Sequence, residues 1–98
     1  MYGIRDNLYN DMISVIKNFG VKKAILFGSR ARGDYRNNSD IDLAFIFDNN
    51  DKDNFIKMQA KLEELNTLYK FDVIDFNTLK NDKFKEEILK DGIVIFDN

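Results

Sequence analysis

The chain contains no histidine, no cysteine and no tryptophan among its 98 residues. Without histidine and cysteine it can form neither a Ser-His-Asp triad nor a Cys-His pair, and it lacks the ligands of nearly every zinc site. The absence of cysteine also excludes a disulfide framework, which fits a cytoplasmic location. Any metal ion must therefore be a hard cation held by carboxylates, such as Mg²⁺, Mn²⁺ or Ca²⁺.

Long apolar stretches are missing as well. No run approaches the roughly 20 residues that a membrane-spanning helix needs, and the first residues lack the basic-then-apolar pattern of a signal peptide. The formal net charge is −2, which argues against a broad nucleic-acid-binding surface. The length suits one small core, so we expect a single domain over residues 1–98.

Hydrophobic periodicity predicts alternating helices and strands. Apolar side chains at helical spacing predict helices at residues 4–19, 53–69 and 78–90. Short apolar runs predict strands at residues 23–27, 41–47, 71–76 and 93–96. The segment 29–35 is expected to be a turn that contains at most one helical turn. This order predicts an α/β (α+β) fold, in which helices cover one face of a mixed sheet of about four strands.

A glycine and a serine directly follow the first predicted strand. Gly28 has no side chain, so backbone N–H groups can approach an anion closely there, and the Ser29 hydroxyl adds a donor. A helix that begins beyond them would contribute its dipole. The pair therefore predicts a phosphate-binding turn; an ordinary turn at the end of a strand is the alternative interpretation.

Two aspartates, Asp40 and Asp42, stand at the start of the second predicted strand. Because side chains alternate along a strand, both carboxylates share one face and the intervening apolar residues share the buried face. Two such carboxylates repel each other unless a cation lies between them. One or two Mg²⁺ ions would relieve the repulsion and provide the metal clamp used in phosphoryl transfer. Exposed charges at a sheet edge are the alternative interpretation.

Three of the four arginines fall within seven residues, between the Gly-Ser turn and the aspartates. Their cations can neutralise a triphosphate and the charge that develops on a leaving pyrophosphate. Arg30, beside Ser29, is the first predicted phosphate ligand, and Arg32 is the second. For Arg32 and Arg36 a solvated loop is an equally good interpretation.

The spacing of Gly28-Ser29, ten further residues and Asp40-x-Asp42 resembles the signature of polymerase-β-like nucleotidyltransferases. The variants Gly-Ser-Arg-Ala-Arg-Gly and Ser-Asp-Ile-Asp-Leu are similar to those of minimal nucleotidyltransferases (MNT), small domains commonly paired as antitoxins with HEPN-domain ribonucleases. The signature spans residues 28–43, and the predicted order of elements fits the nucleotidyltransferase fold along nearly the whole chain.

The resemblance implies transfer of AMP from ATP to an acceptor hydroxyl, with release of pyrophosphate. It implies that Asp40 and Asp42 hold two Mg²⁺ ions, with Mn²⁺ as a substitute, and that Gly28 and Ser29, with Arg30, bind the β- and γ-phosphates. Because the predicted core uses all 98 residues, another molecule or a second copy of the chain is expected to present the acceptor.

Family resemblance makes a HEPN-type toxin, adenylylated on a tyrosine, the first expected acceptor, and the chain its antitoxin. Three alternatives stay open. One is an antitoxin that neutralises its toxin by binding alone. The others are nucleotidyl transfer to a small molecule and transfer to RNA, the latter disfavoured by the acidic net charge.

The family also implies a third carboxylate on a neighbouring strand, which completes the metal site and helps to deprotonate the incoming hydroxyl. The candidates are Asp72 and Asp75, and their odd spacing sends them to opposite faces, so only one can serve. We favour Asp72, because Phe71 and Val73 then face the helices. Asp75 stays the alternative, since Ile74 would otherwise share the active-site face.

Exchange of each aspartate for asparagine distinguishes these two candidates. We expect Asp72→Asn to lower nucleotidyl transfer by at least about 100-fold, because an amide neither holds a divalent cation nor accepts the proton, whereas Asp75→Asn retains activity. Transfer of label from the α-phosphate of ATP measures both. Activity that survives Asp72→Asn and disappears in Asp75→Asn would reverse the assignment.

Overall fold

The computed structural model describes residues 1–48, 52–65 and 67–98. Over these residues the helices are α1 (Asp6–Ile16), α2 (Ser29–Arg32), α3 (Lys52–Glu63) and α4 (Asp82–Asp91). The strands are β1 (Val21–Phe27), β2 (Ile41–Phe47), β3 (Phe71–Asp75) and β4 (Ile93–Asp97). A 3₁₀ turn, Phe76–Thr78, follows β3. In this described part of the chain, no helix has the length and apolar character to cross a membrane.

The strands form one mixed sheet in the order β3-β2-β1-β4. β1 runs antiparallel to both of its neighbours, whereas β2 and β3 are parallel. α3 lies in the crossover that a parallel pair requires. Because β2 and β3 begin at the same end of the sheet, Ile41 stands beside Phe71 and Asp42 beside Asp72. Parallel pairing thus makes neighbours of residues that are far apart in sequence.

One face of the sheet packs against α1 and α3. The residues of β2 that face these helices alternate along the strand and are all buried: Ile41, Leu43, Phe45 and Phe47. The helices contribute four fully buried side chains to the same core: Met12, Ile16, Met58 and Leu62. Phe71 and Val73 of β3 also pack on this face, so Asp72 has the opposite parity, as predicted.

The other face of the sheet is partly covered by α4. Ile25 and Phe27 of β1 and Ala44 of β2 form a second core with Ile88 of α4. Phe84 packs edge-on against Phe27, with ring centroids 5.8 Å apart. The side chains of β1 are buried on both faces of the sheet, so an apolar element must pack on each face, and α4 packs on the second one. The expectation that helices cover one face is therefore corrected: α1 and α3 lie on one face and α4 on the other.

The predicted fold class, with a four-stranded mixed sheet, is confirmed. The strand bounds differ from the prediction by at most two residues, as at β1, which begins at Val21 rather than at residue 23, and the larger differences lie at helix ends. α3 ends at Glu63 rather than at residue 69. Leu65 and Tyr69 still pack against the core, but they lie in the segment that leads to β3. Their spacing from Leu62 matches that of a helix, which is why the predicted helix was too long. Asn66, which falls inside the predicted helix, lies outside the described residues.

The predicted helix at 78–90 also begins later than expected, because a polar residue caps it. The Asn81 side chain accepts a hydrogen bond from the Phe84 N–H at 3.1 Å, which satisfies a donor that the first helical turn leaves free. Before it, the Asn77 side chain bonds the N–H and the C=O of Phe47, at 3.0 and 3.2 Å. Asn77 therefore continues the β2 hydrogen-bond ladder beyond the end of β3.

Leu62 and Leu89 both lie in helices, but the first is 0% and the second 60% exposed. The two residues therefore allow the same substitution to be compared at a buried and at an exposed position. We expect Leu62→Ala to lower the free energy of unfolding by about 2–5 kcal/mol, because it removes buried methyl groups and leaves a cavity. Leu89→Ala should change it by less than about 0.5 kcal/mol. Urea unfolding measures both, and equal losses would contradict the packing of α3 on the sheet.

Candidate active site

β1 ends in a glycine whose backbone conformation other residues rarely adopt. Gly28 has φ 74° and ψ −154°, a region nearly restricted to glycine. Phe27 stands opposite Asp42 in the β1–β2 pair, so the chain turns directly beside this carboxylate. A Cβ on Gly28 would overlap the Oδ2 atom of Asp42. Gly28 is therefore required both by the turn and by the space that Asp42 occupies.

The turn leads into α2, a single helical turn that begins at Ser29. Gly33 ends it in the left-handed conformation, with φ 89°, and the Gly33 N–H donates to the Ser29 carbonyl at 2.9 Å. The first N–H groups of a helix have no partner within the helix and favour anions. The structure thus places a half-buried serine and the start of a helical turn next to the glycine that lies against Asp42.

Asp42 and Asp72 lie side by side in the parallel β2–β3 pair. Burial raises the pKa of the Asp42 carboxyl to about 6, assisted by the negative charges of Asp72 and Asp40 and by a hydrogen bond with Asp72, while the charge of Arg32 acts in the opposite direction. These effects require proximity. The charges of Asp40, Asp72 and Arg32 therefore all act on Asp42, and Asp40 is exposed just before β2.

Asp75 has another environment. Its side chain accepts a hydrogen bond from the Asn77 N–H at 3.1 Å and caps the 3₁₀ turn. In the sheet it pairs with Phe45 at the far end of β3 rather than with Asp42. A carboxylate that caps a turn at this distance along the strand is poorly placed to share an ion with Asp42, so the geometry favours Asp72 as the third carboxylate.

The oxygen donors of this cluster match the chemistry of Mg²⁺ or Mn²⁺. Across residues 1–48, 52–65 and 67–98, no three aspartate or glutamate side chains are grouped so that they could hold a metal ion among them. Mg²⁺ usually binds through one or two carboxylates and completes its shell with waters and substrate phosphates. The pair Asp42 and Asp72 offers such a partial shell. Burial and the neighbouring negative charges raise the pKa of Asp42, and a cation would relieve the repulsion among these charges.

Arg30 does not point into this cluster, and its predicted role as a phosphate ligand is corrected. The residue is only 2% exposed. Its guanidinium donates to the carbonyl oxygens of Ser39, Asp40 and Tyr2, at 2.7, 3.3 and 3.1 Å. No sequence signal marked this role, because the carbonyls come from segments that only the folded chain brings around α2.

Arg32 is the exposed arginine of α2. Its Nε atom lies 3.4 Å from Asp34 Oδ2, and the two side chains are 49% and 64% exposed. Such a solvated ion pair is weak and can yield to a ligand. Because the charge of Arg32 also lowers the pKa of Asp42, Arg32 lies on the carboxylate side of the turn and stays a predicted nucleotide ligand.

A cavity of about 680 Å³ lies elsewhere, between the start of α1 and the segments that precede β2 and β3. Its walls are Arg5, Asn7, Leu8, Asp11, Asn37, Asn38, Thr67, Leu68 and Tyr69. None of these is a predicted site residue. The aspartates, the glycine turn and Arg32 therefore lie outside the lining of this cavity.

The raised pKa of Asp42 predicts a pH-dependent cost to stability in the metal-free protein. An acid whose pKa is higher in the folded than in the unfolded state favours folding while protonated, and this contribution is lost as the pH rises from about 3.8 to about 6. We therefore expect Asp42→Asn to raise the free energy of unfolding at pH 7.5 and to change it little at pH 4.

Urea unfolding in EDTA at several pH values measures this difference. Asp48→Asn, at an exposed position directly after β2, is the control for removing a carboxylate outside the cluster. A metal-free Asp42→Asn protein less stable than wild type at pH 7.5 would contradict the repulsion.

Known proteins are similar to this chain both in sequence and in fold. The family described as "Polymerase beta, Nucleotidyltransferase" matches residues 10–98. The chain is 38% identical over 85 residues to "Putative protein adenylyltransferase MJ0604" of Methanocaldococcus jannaschii, a match that covers 78% of this chain and 79% of that protein.

Two solved structures extend the comparison. A chain of a toxin–antitoxin crystal structure with AMP-PNP has a TM-score of 0.73 at 21% identity, over 92% of this chain and 73% of that one. A chain of the complex between a tri-AMPylated Shewanella oneidensis HEPN toxin and an MNT antitoxin has a TM-score of 0.70 at 17% identity, over 97% and 74%. These two likenesses concern the fold, whereas the family match and the archaeal relative concern the sequence itself. The chain therefore belongs to the polymerase-β nucleotidyltransferase family.

Proposed function

We propose that the chain transfers AMP from ATP to a hydroxyl group of a partner protein. One observation carries the proposal: the glycine turn at Gly28 lies directly against Asp42, and Asp42 lies beside Asp72. A phosphate-binding turn and paired carboxylates are the two parts that nucleotidyl transfer needs, since one would hold the triphosphate and the other would hold a cation that neutralises its charge.

The turn and Arg32 act on the phosphates. Backbone N–H groups after Gly28, with the Ser29 hydroxyl, bind the β- and γ-phosphates. Arg32 neutralises the charge on the departing pyrophosphate. Arg30 has no part in this contact, because its donors already bond backbone carbonyls.

The aspartates act on the metal ions and on the acceptor. Asp40, Asp42 and Asp72 would hold two Mg²⁺ ions, which Mn²⁺ could replace. Such ions would neutralise phosphate charge and stabilise the attacking and leaving oxygens. The acceptor oxygen forms a bond to the α-phosphorus of ATP, the bond between that phosphorus and the bridging oxygen breaks, and pyrophosphate leaves. Asp72 accepts the proton of the hydroxyl.

For the acceptor we propose a tyrosine of a HEPN-type toxin, whose modification silences the toxin and makes this chain an antitoxin. Two comparisons support this choice. The archaeal relative is named as a protein adenylyltransferase, and one structure of the same fold contains an AMPylated HEPN toxin with an MNT antitoxin. AMP-PNP in another structure of this fold supports ATP as the donor, and ATP in turn favours action in the cytoplasm.

Isothermal titration of ATP, in Mg²⁺ and in EDTA, tests the nucleotide site. We expect binding to wild type that requires Mg²⁺, and its loss in Asp42→Asn, because an amide replaces a charged ligand of the ion. Asp48→Asn is the matched control and should bind as wild type does. Binding of equal strength in Mg²⁺ and in EDTA would contradict the proposed role of the metal ion in nucleotide binding.

Mass spectrometry of a HEPN-domain protein incubated with the chain, ATP and Mg²⁺ tests the acceptor. We expect a gain of one AMP for each modified hydroxyl and none with the Asp40→Asn/Asp42→Asn double variant. If that double variant still neutralises the toxin in cells, the chain acts by binding alone and the proposed transfer is not how it protects.

A further inference from the structure

Among the residues that the structure describes, Arg30 is the one charged side chain that is buried. Removal of a guanidinium from water is costly unless hydrogen bonds and a favourable electrostatic environment replace the water. The residue directly follows Ser29 of the glycine turn, yet its side chain turns inward. The contacts that compensate for its burial indicate what it does.

The hydrogen bonds of Arg30 end on backbone carbonyls just before β2. Nε donates to the Ser39 carbonyl at 3.2 Å and to the Asp40 carbonyl at 3.3 Å, and Nη2 donates to the Ser39 carbonyl at 2.7 Å. Asp40 precedes the first residue of the β2 ladder, so the sheet itself does not hold its backbone. The guanidinium fork supplies that restraint.

Two aromatic rings enclose the same guanidinium. Its Cζ atom lies 5.2 Å from the centre of the Tyr35 ring and 4.7 Å from that of Tyr69, both within the range of a cation–π contact. Tyr69 stands two residues before β3, and the carbonyl of its neighbour Lys70 accepts from the Ile41 N–H at 2.9 Å. Arg30 therefore contacts the segments that lead into both aspartate-bearing strands.

The N-terminal segment closes the remaining side. Nη1 donates to the Tyr2 carbonyl at 3.1 Å. A Cβ on Gly3 would lie 2.9 Å from Nη1 and would overlap the Tyr35 ring, so the segment is packed tightly over the guanidinium. This enclosure explains why a nucleotide phosphate has no access to it.

We propose that Arg30 is a positioning residue, which ties the glycine turn to the backbone of Asp40 and to the start of β3. Its functional consequence rests on the proposed function, in which the turn holds phosphates and the aspartates hold cations. Binding groups of one site must keep their relative positions closely, so the turn and the aspartates need a fixed spacing. One side chain that begins in the turn and ends on the carbonyl of Asp40 provides such a constraint.

Arg30→Lys tests the inference, because lysine keeps the positive charge but lacks the planar fork that spans two carbonyls and stacks between rings. We expect the affinity for Mn²⁺, measured by electron paramagnetic resonance without nucleotide, to fall about 10-fold, as for other losses of groups that orient metal ligands. We also expect faster amide hydrogen exchange over residues 33–41. Arg5→Lys, the same exchange at an exposed position, is the control and should change neither quantity.

Tyr69→Leu is the second variant, for the case in which Arg30→Lys does not fold. It removes one ring contact but leaves the carbonyl bonds, so both effects should appear in the same direction and be smaller. Wild-type Mn²⁺ affinity and wild-type exchange in folded variants would overturn the positioning role. A loss of ATP affinity in Mg²⁺ with intact Mn²⁺ affinity would also overturn it, since Arg30 would then act on phosphate.

The hydrogen-exchange measurement keeps the two proposals distinct. If wild type binds no Mn²⁺, the metal site of the proposed function fails. Faster exchange over residues 33–41 in Arg30→Lys then still supports the positioning role, and unchanged exchange rejects it.

Discussion

The close approach of the Asp42 and Asp72 carboxylates is the constraint around which this end of the sheet is organised. Parallel pairing of β2 and β3 sets the two groups side by side, where burial and the neighbouring negative charges raise the pKa of Asp42 to about 6. The pair is held in place by the other face of the same strands, where Ile41 and Phe71 are buried against α1 and α3. A slip of one residue would expose these apolar groups and bury the charges, so core packing maintains the register.

The backbone of the turn at Gly28 must also leave room for the Asp42 carboxylate. The turn after β1 passes so close to Asp42 that it has room only for a glycine. The left-handed φ of Gly28 then turns the chain away from the sheet and into α2. The glycine turn and the aspartates are therefore one packing unit, although they belong to different strands. This explains why the motif needs both parts and why neither part alone has much meaning.

The two arginines of α2 have different environments because of helical geometry. Successive residues of a helix are rotated by about 100°, so positions 30 and 32 point in nearly opposite directions. Arg30 therefore enters the interior between two tyrosine rings, while Arg32 stays in solvent near the carboxylates. Two identical side chains in one short motif thus have unlike environments, and only one of them is accessible to a ligand.

The sequence alone determined the class of fold, the strand β2 with its alternating buried residues, and the Gly28-Ser29 and Asp40-x-Asp42 motif, because periodicity and spacing are local properties. The family resemblance implied a third carboxylate on a neighbouring strand, and parity allowed only one of Asp72 and Asp75 to be that carboxylate. Tertiary structure was needed for the rest. The parallel register placed Asp72 beside Asp42, the Asn77 contact placed Asp75 at a turn, and two separate cores placed α4 on the second face. The inward course of Arg30 depended on carbonyls and rings from three distant segments, and contacts of that kind form only when the chain has folded.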